Sequence, residues 1–229
     1  MNYREVSREL KKRGTAQNRK IYGRHGVREP MHGVSFANLK DLKKRISCDQ
    51  AMAVQLWASG NHDARVLATM IADSEAIRAA QLEGWVRDLD NYVVADAFSG
   101  LVARTTVAQG KADKWMASRK EFIGQVGYNL LSFLAMSTEG LPNSYFLQHL
   151  ERIEEEIHRS ANRIRHAMNQ AVIATGLRNP ALRRRAVAAA KRIGKVEVDH
   201  GETSCKTPDA AARIAKYSKA RAEKEQSNR

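Results

Sequence analysis

The 229-residue sequence predicts an all-α protein. Apolar residues recur at helical spacing along nearly the whole chain, and proline is scarce at four residues. The best alternating run, Val196–Asp199, is too short to require a sheet. Consecutive helices joined by short turns are typical of stacked helical hairpins, which curve and present one concave face. We expect one helical-repeat domain over residues 1–219 and a frayed polar tail over 220–229.

Capping and helix-breaking residues divide the first half of the chain. Apolar positions on either side of Ser59–Asn61 outline two short helices. The pair Asp73–Ser74 can cap a third helix, expected over Glu75–Leu89. Asp90–Asn91 then opens the helix that carries Tyr92 and Asp96.

The second half of the chain contains similar helix-starting and helix-ending residues. Glycine is expected to end the helices, and Pro180 suits a first helical position. Four helices are predicted: one from Ser118 past Leu134, then Ser144–Ser160, Asn162–Thr175 (ended by Gly176) and Pro180–Gly194.

Charge is unevenly distributed along this basic chain, whose net charge is +14. Residues 1–47 hold 13 basic and 4 acidic groups, and residues 178–229 hold 14 and 6. Residues 48–110 instead hold 4 basic and 8 acidic groups, a net charge of −4. Two basic ends favour a polyanion as partner, because neutralised phosphates release counterions.

Composition argues against a membrane protein, a secreted protein and a disulfide-rich protein. No apolar run approaches the ~20 residues that a bilayer requires, so no membrane partner is expected. The N-terminus lacks the apolar core of a secretory signal, and two cysteines are too few for a disulfide framework. We therefore expect a cytoplasmic protein, monomeric, with no obligate protein partner and no cofactor.

One carboxylate, Asp96, lies on a helix that the sequence predicts to be buried. Tyr92 precedes it by one turn, so ring and carboxylate share a face. A carboxylate there can stabilise positive charge that develops on a sugar when a cationic, alkylated base departs. Aromatic faces would hold that base by cation–π attraction. The candidate aromatics besides Tyr92 are Trp85, Trp57 and Trp115; the alternative is that Asp96 caps or pairs and that the tryptophans are core.

Basic side chains cluster on two predicted helices near the ends of the chain. Each cluster has two possible interpretations: its side chains contact phosphate, or they form an ordinary solvated face of a helix. The candidates for phosphate contact are Lys40, Lys43, Lys44, Arg45, Arg183, Arg184 and Lys191.

The segment 197–205 concentrates potential metal ligands. His200 and Cys205 suit zinc, but no Cys-x-x-Cys or second His pair completes four ligands. A structured loop is therefore preferred to a metal site, with Thr207 capping a helix that begins at Pro208.

Several segments, in a fixed order over most of residues 20–217, resemble the DNA alkylation repair family of helical-repeat glycosylases. The last of them resembles a signature of one branch of that family. The segments are Tyr22–Val27, Leu56–Ser59, His62–Ala68, Trp85–Asp96, Asn162–Asn169 and Val196–Asp209.

The resemblance implies a right-handed α-solenoid of HEAT-like repeats whose basic concave groove grips duplex DNA. It implies that Asp96 supports excision of cationic N3- or N7-alkylated purines, while Tyr92 contacts the lesion or its sugar. Tyr22, in the first of these segments, is a further candidate for an aromatic contact with the base. Two positions depart from the family pattern. Tyr92 replaces a tryptophan, and Ile173 stands near the position of a groove arginine, for which Arg163 and Arg165 are candidate substitutes.

Three hypotheses follow from the sequence. The leading one is a monofunctional DNA glycosylase for cationic alkylpurines, with Asp96 as electrostatic catalyst. The second is a non-catalytic helical-repeat protein that binds distorted or branched DNA. The third is a scaffold for an acidic protein.

Overall fold

The computed structural model describes residues 1–137 and 140–227, and these residues confirm the all-α prediction. Regular structure there consists of helices, with one isolated β-bridge between Gly14 and Val34. The chain divides into two compact units. Unit 1 comprises Met1–Ala108 with His200–Ser204, and unit 2 comprises Gln109–Asp199 with the chain from Cys205 onward. The single domain expected over residues 1–219 stays a prediction.

Unit 1 is built from seven helices among its described residues. Leucine, valine and tryptophan side chains on their inner faces form its core. The helices are α1 (Tyr3–Arg13), α2 (Ala16–Arg24), α3 (Phe36–Ile46), α4 (Gln50–Ala58), α5 (His62–Ile71), α6 (Ala79–Arg87) and α7 (Tyr92–Val102).

A side-chain cap begins α5 but not α6. Asn61 accepts from the backbone N–H of Ala64 at 3.1 Å and starts α5, as the break at Ser59–Asn61 predicts. The predicted start of α6 at Glu75 is wrong. Asp73 does accept from two following N–H groups, but Arg78 is extended, with φ −76° and ψ 146°, so the helix begins at Ala79.

Unit 2 holds the remaining helices of the described chain. Its core lies between the long helices α9 and α11, which pack along each other. The helices are α8 (Ala108–Met116), α9 (Glu121–Met136), α10 (Asn143–Glu156), α11 (Asn162–Arg178), α12 (Pro180–Ile193) and α13 (Ala210–Ser227), with a single 3₁₀ turn at Ile157–Arg159.

Helix α11 passes through Gly176, so the prediction that this glycine ends the helix is wrong. A Cβ at position 176 would lie 2.6 Å from Cδ1 of Ile214 on α13. Gly176 therefore permits close packing of two helices instead of terminating one. At the C-terminus, α13 is helical through 220–227, where the sequence predicts a frayed tail. Residues 228 and 229 of that predicted tail lie outside the described residues.

An arginine terminates α9. The Arg178 guanidinium on α11 donates to the carbonyls of Leu134, Ala135 and Ser137 at 3.1, 3.1 and 2.6 Å. It also lies 4.7 Å from the ring centroid of Phe146. The Leu134 carbonyl also accepts from the Ser137 hydroxyl at 2.8 Å, and Arg178 adds a tertiary cap to this C-terminal end of α9. None of the described helices is long and apolar enough to cross a membrane.

Candidate functional site

Helix α7 carries the two residues of the candidate site. Asn91 precedes it in extended conformation and accepts from the backbone N–H groups of Val93 and Val94 at 3.1 and 3.0 Å. This cap fixes Tyr92 as the first helical residue, as predicted. Asp96 follows four residues later on the same face of the helix.

Tyr92 and Asp96 differ in burial. Tyr92 is half-buried, and its hydroxyl is hydrogen-bonded to Nδ1 of His25, which follows α2. The two rings lie 6.0 Å apart at 61°. Asp96 is exposed, so the expectation of a carboxylate on a buried stretch is corrected: α7 buries its opposite face, through residues such as Val94 and Phe98. The exposed carboxylate can be reached by a macromolecule.

The tryptophans belong to the core of unit 1. Trp57 and Trp85 are 3% and 5% exposed, and their rings stack at 4.3 Å and 4°. The Trp57 indole N–H donates to Asp88 at 2.9 Å, and the Arg65 guanidinium lies 5.4 Å from its ring. Because both ring faces are buried, these two tryptophans are better explained as core residues than as the predicted contacts with a base. In unit 2, Trp115 is 2% exposed and is likewise core.

Tyr22 is half-buried and committed to the fold of unit 1. Its hydroxyl donates to the carbonyl of Val34 at 2.6 Å, and its ring lies 5.2 Å from that of His62. Burial, together with the nearby Asp63 carboxylate, raises the pKa of Tyr22 to about 12. The hydroxyl therefore remains protonated as a donor, and a contact with a lesion stays a prediction.

A second aspartate, Asp63, escapes the sequence analysis. It is 0% exposed in the first turn of α5. Its carboxylate receives three backbone N–H groups at 2.6, 3.0 and 2.7 Å, from His32, Gly33 and Val34. Gly33 has φ +78°, the left-handed conformation that glycine adopts without strain. The available signal is the Asn-His-Asp sequence at a helix start, which does not reveal the distant loop.

Basic residues of unit 1 are exposed on α3. Lys40, Lys43 and Lys44 project from its last turns, and among the described residues they form no ion pair. Arg45 is also exposed but pairs with Glu9 at 3.2 Å. The three lysines are therefore available for phosphate.

Basic candidates of unit 2 fall into two groups. Arg184 and Lys191 are exposed on α12, whereas Arg163 and Arg183 are half-buried. The Arg165 guanidinium donates to the backbone carbonyls of Glu197, His158 and Ser160 at 2.9 to 3.3 Å. Arg165 thus has a structural function in holding the chain after α12, which makes it a poor replacement for a groove arginine. Ile173, the residue near that position, is 5% exposed.

The loop after α12 makes an ordered contact with the start of α11 and carries Cys205, one of the two cysteines of the chain. Asn162 and Asp199 exchange side chain–backbone hydrogen bonds at 2.8 Å. Cys48 and Cys205 are exposed. Among the described residues no group of three or more His, Cys, Asp or Glu side chains could hold a metal. Helix α13 is capped by Asp209 rather than by Thr207 as predicted, since its carboxylate accepts from Ala212 N–H at 2.7 Å.

The fold and these surfaces define an all-α helical-repeat protein that exposes basic residues and one candidate carboxylate. Residues 6–214 match the family model of DNA alkylation repair enzymes, so the chain belongs to that family. The resemblance found in the sequence is thereby confirmed.

Relatives and a solved structure extend this result. The chain is 28% identical over 208 residues to Lin0241 of Listeria innocua and to Lmo0209 of Listeria monocytogenes, covering 86% of this chain and 88% of each relative. It is also similar to a solved structure from a family related to the HEAT-like repeat DNA glycosylases, with affinity for branched DNA structures. That likeness has a TM-score of 0.89 and 29% identity, and covers 96% of this chain and 95% of the other.

Proposed function

We propose that this protein binds DNA of distorted or branched structure and acts in the repair of alkylated DNA. One observation carries the proposal: the chain resembles, over 96% of its length, a protein related to the HEAT-like repeat glycosylases that has affinity for branched DNA. At 29% identity and a TM-score of 0.89 the two chains share a fold, which supports a shared class of ligand.

The charge of the exposed surface supports the same ligand. Lys40, Lys43 and Lys44 form a cationic row at the end of α3, and the net charge of the chain is +14. Each lysine that contacts a phosphate releases a counterion and adds about 0.9 to the slope of log affinity against log salt. Such contacts recognise backbone and shape without reading base sequence.

Fluorescence anisotropy with a labelled four-way junction and a linear duplex of the same strand length tests the proposal. Tighter binding to the junction is expected, with an affinity that falls steeply as salt rises. The double variant Lys43→Ala/Lys44→Ala should reduce the salt slope by about 1–2. The control Lys216→Ala/Lys219→Ala removes the same charge from exposed positions of α13, where Lys219 faces Glu223 at 3.9 Å. Equal affinity for junction and duplex, or binding that does not change with salt, would contradict the proposal.

A second function, excision of cationic alkylpurines, is favoured by the exposure of Asp96. As the bond between base and deoxyribose breaks, the electron pair leaves with the base and positive charge develops on the sugar. A carboxylate beside that sugar stabilises the charge, and water then adds to it with loss of a proton. The reaction requires neither a protein nucleophile nor a metal, because an alkylated base is already a good leaving group.

The aromatic contribution to this second function is smaller than the sequence suggests. Tyr92 can offer a ring beside Asp96, and its hydrogen bond to His25 limits the motion of that ring. Trp57 and Trp85 bury their faces against each other. Cation–π attraction from one tyrosine is worth about 0.5–2 kcal/mol, so Asp96 carries most of the proposed catalysis.

Release of N7-methylguanine and N3-methyladenine from alkylated DNA tests the second function. Asp96→Asn should abolish release while junction binding is retained, because the substitution preserves size and removes only the charge. Glu75→Gln changes another exposed carboxylate of unit 1 and should leave release unchanged. If the wild type releases neither base, the branched-DNA function stands alone.

A further inference from the structure

Unit 2 contains a cavity of about 580 Å³ that the proposed function does not use. Its lining residues come from the turn after α8, from the middle of α9, from the end of α10 with the 3₁₀ turn that follows it, and from the first half of α11. The lining combines apolar side chains such as Met116, Ile164 and Met168 with a ring of polar groups. The volume is in the range of pockets that enclose a small organic ligand.

A buried tyrosine lines this cavity. Tyr128 on α9 is 1% exposed, and its hydroxyl has no hydrogen-bond partner among the described residues. Burial raises the pKa of Tyr128 to about 12, so the hydroxyl is protonated and can donate at neutral pH. An unmade hydrogen bond at a buried donor is costly, which indicates that a ligand or solvent accepts it.

The charged groups of the lining are predominantly cationic. Arg119, Arg152 and Arg159 contribute guanidinium groups, against the single carboxylate of Glu156. Arg152 is held in place, because it donates to Glu156 at 3.1 Å and to the carbonyl of Met116 at 3.3 Å. Arg119 and Arg159 form no ion pair within the described part of the chain. The lining therefore has a surplus of about two positive charges at neutral pH.

We infer that this cavity binds a nucleoside phosphate monoester, with the phosphate on the arginines and the Tyr128 hydroxyl and the nucleoside against the apolar wall. A phosphate monoester carries about −1.5 to −2 charges at pH 7, which matches the surplus. Guanidinium groups bind phosphate oxygens through paired hydrogen bonds. The methionine and isoleucine side chains offer the soft apolar contact that a base or sugar requires.

Two sources could deliver this chemistry: a free mononucleotide, or the phosphorylated end of a DNA strand. The inference goes beyond the proposed function, because a free nucleotide can bind whether or not unit 1 contacts DNA. Isothermal titration with deoxyadenosine 5′-monophosphate, deoxyadenosine and inorganic phosphate tests the pocket directly. We expect saturable binding of the monophosphate and at least tenfold weaker binding of deoxyadenosine.

Variants assign the binding to this cavity. Arg119→Ala should weaken monophosphate binding about tenfold, and Tyr128→Phe about fivefold. Tyr128→Phe should leave the melting temperature unchanged, since the hydroxyl has no protein partner to lose. Arg213→Ala removes an exposed arginine of α13, in the same unit but outside the cavity, and should have no effect. Absence of saturable binding at millimolar nucleotide, equal binding of deoxyadenosine, or equal weakening by Arg213→Ala would overturn the inference.

A last comparison separates the two sources. If a nicked duplex with a 5′-phosphate binds more tightly than its 5′-hydroxyl counterpart, and Arg119→Ala removes the difference, the strand end is the source. Equal binding of the two duplexes, with mononucleotide binding intact, assigns a free nucleotide. The junction assay with lysine variants of unit 1 is scored separately, so failure of the branched-DNA function would be distinguishable from failure of this pocket.

Discussion

Two aspartates of unit 1 show how differently one side chain can be used. Asp63 is 0% exposed and binds three backbone N–H groups of the segment 32–34. Asp96 is exposed on α7, one turn after Tyr92. The first carboxylate holds the fold together and faces no solvent, whereas the second is exposed to solvent. Burial with full hydrogen bonding marks a structural carboxylate, and exposure on an ordered helix marks a candidate functional one.

The largest expected effect is on stability at Asp63. Asp63→Ala should lower the free energy of unfolding by about 4 kcal/mol, because three buried N–H groups lose their acceptor at once. Urea denaturation at pH 7 measures the loss. Asp96→Ala serves as the matched control at an exposed position. A loss at Asp63 below about 1 kcal/mol would mean that other contacts hold segment 32–34.

The histidine beside Asp63 should make stability depend on pH. Burial lowers the pKa of His62, with Arg65 adding to that direction and Asp63 and Asp90 opposing it. The unfolded chain then binds a proton more readily than the folded one. Stability is therefore full above the ordinary histidine pKa of about 6.5 and is lost as pH falls below it, with a slope of at most about 1.4 kcal/mol per pH unit.

Denaturation of the wild type and of His62→Gln between pH 5 and pH 8 measures this slope. The variant should show a shallower dependence, because its side chain does not titrate. Some slope should remain, since burial also lowers the pKa of His149 in unit 2. If the unfolding free energy of the two proteins depends on pH in the same way, His62 does not contribute to the acid sensitivity.

A smaller effect is expected at Tyr92. Tyr92→Phe removes the hydrogen bond to His25 and should cost about 0.5–1 kcal/mol of unfolding free energy. A double-mutant cycle with His25→Ala isolates the pair, and its coupling energy should account for most of that loss. Additive single and double variants would show that the contact contributes nothing to stability.

The smallest expected effect is on stability at Asp96. Asp96→Asn should change the unfolding free energy by less than about 0.5 kcal/mol, because the side chain is exposed. Thermal melting of wild type and variant measures it. A loss comparable to that at Asp63 would erase the distinction between the two aspartates and turn Asp96 into a structural residue.

Sequence reasoning predicted the helices better than their ends. The break at Ser59–Asn61, the Asn91 cap and the start of α12 at Pro180 are all confirmed, because caps and proline act on their own backbone. Gly176 was misjudged, since its requirement for space comes from Ile214 on another helix. The extended Arg78 ahead of α6 also lacks a local sequence signal.

The candidate site was predicted in part. The position of Asp96 on one face with Tyr92 follows from helical spacing alone. The stack of Trp57 on Trp85 does not, because the two residues lie on different helices and meet only through packing. The sequence does not distinguish an aromatic residue in the core from one that lines a binding site, because the neighbours of the ring in the folded protein decide its function.

By itself the sequence determined the all-α class, the family, the basic character of the chain and the spacing of Tyr92 and Asp96. These properties depend on composition, on local capping and on helical periodicity, which act over a few residues. Only the tertiary structure decided that Asp63 is the buried aspartate, that Arg178 caps α9, and that three arginines share a cavity with Tyr128. Those results depend on burial and on contacts between groups 29 to 43 positions apart, which helical periodicity does not encode.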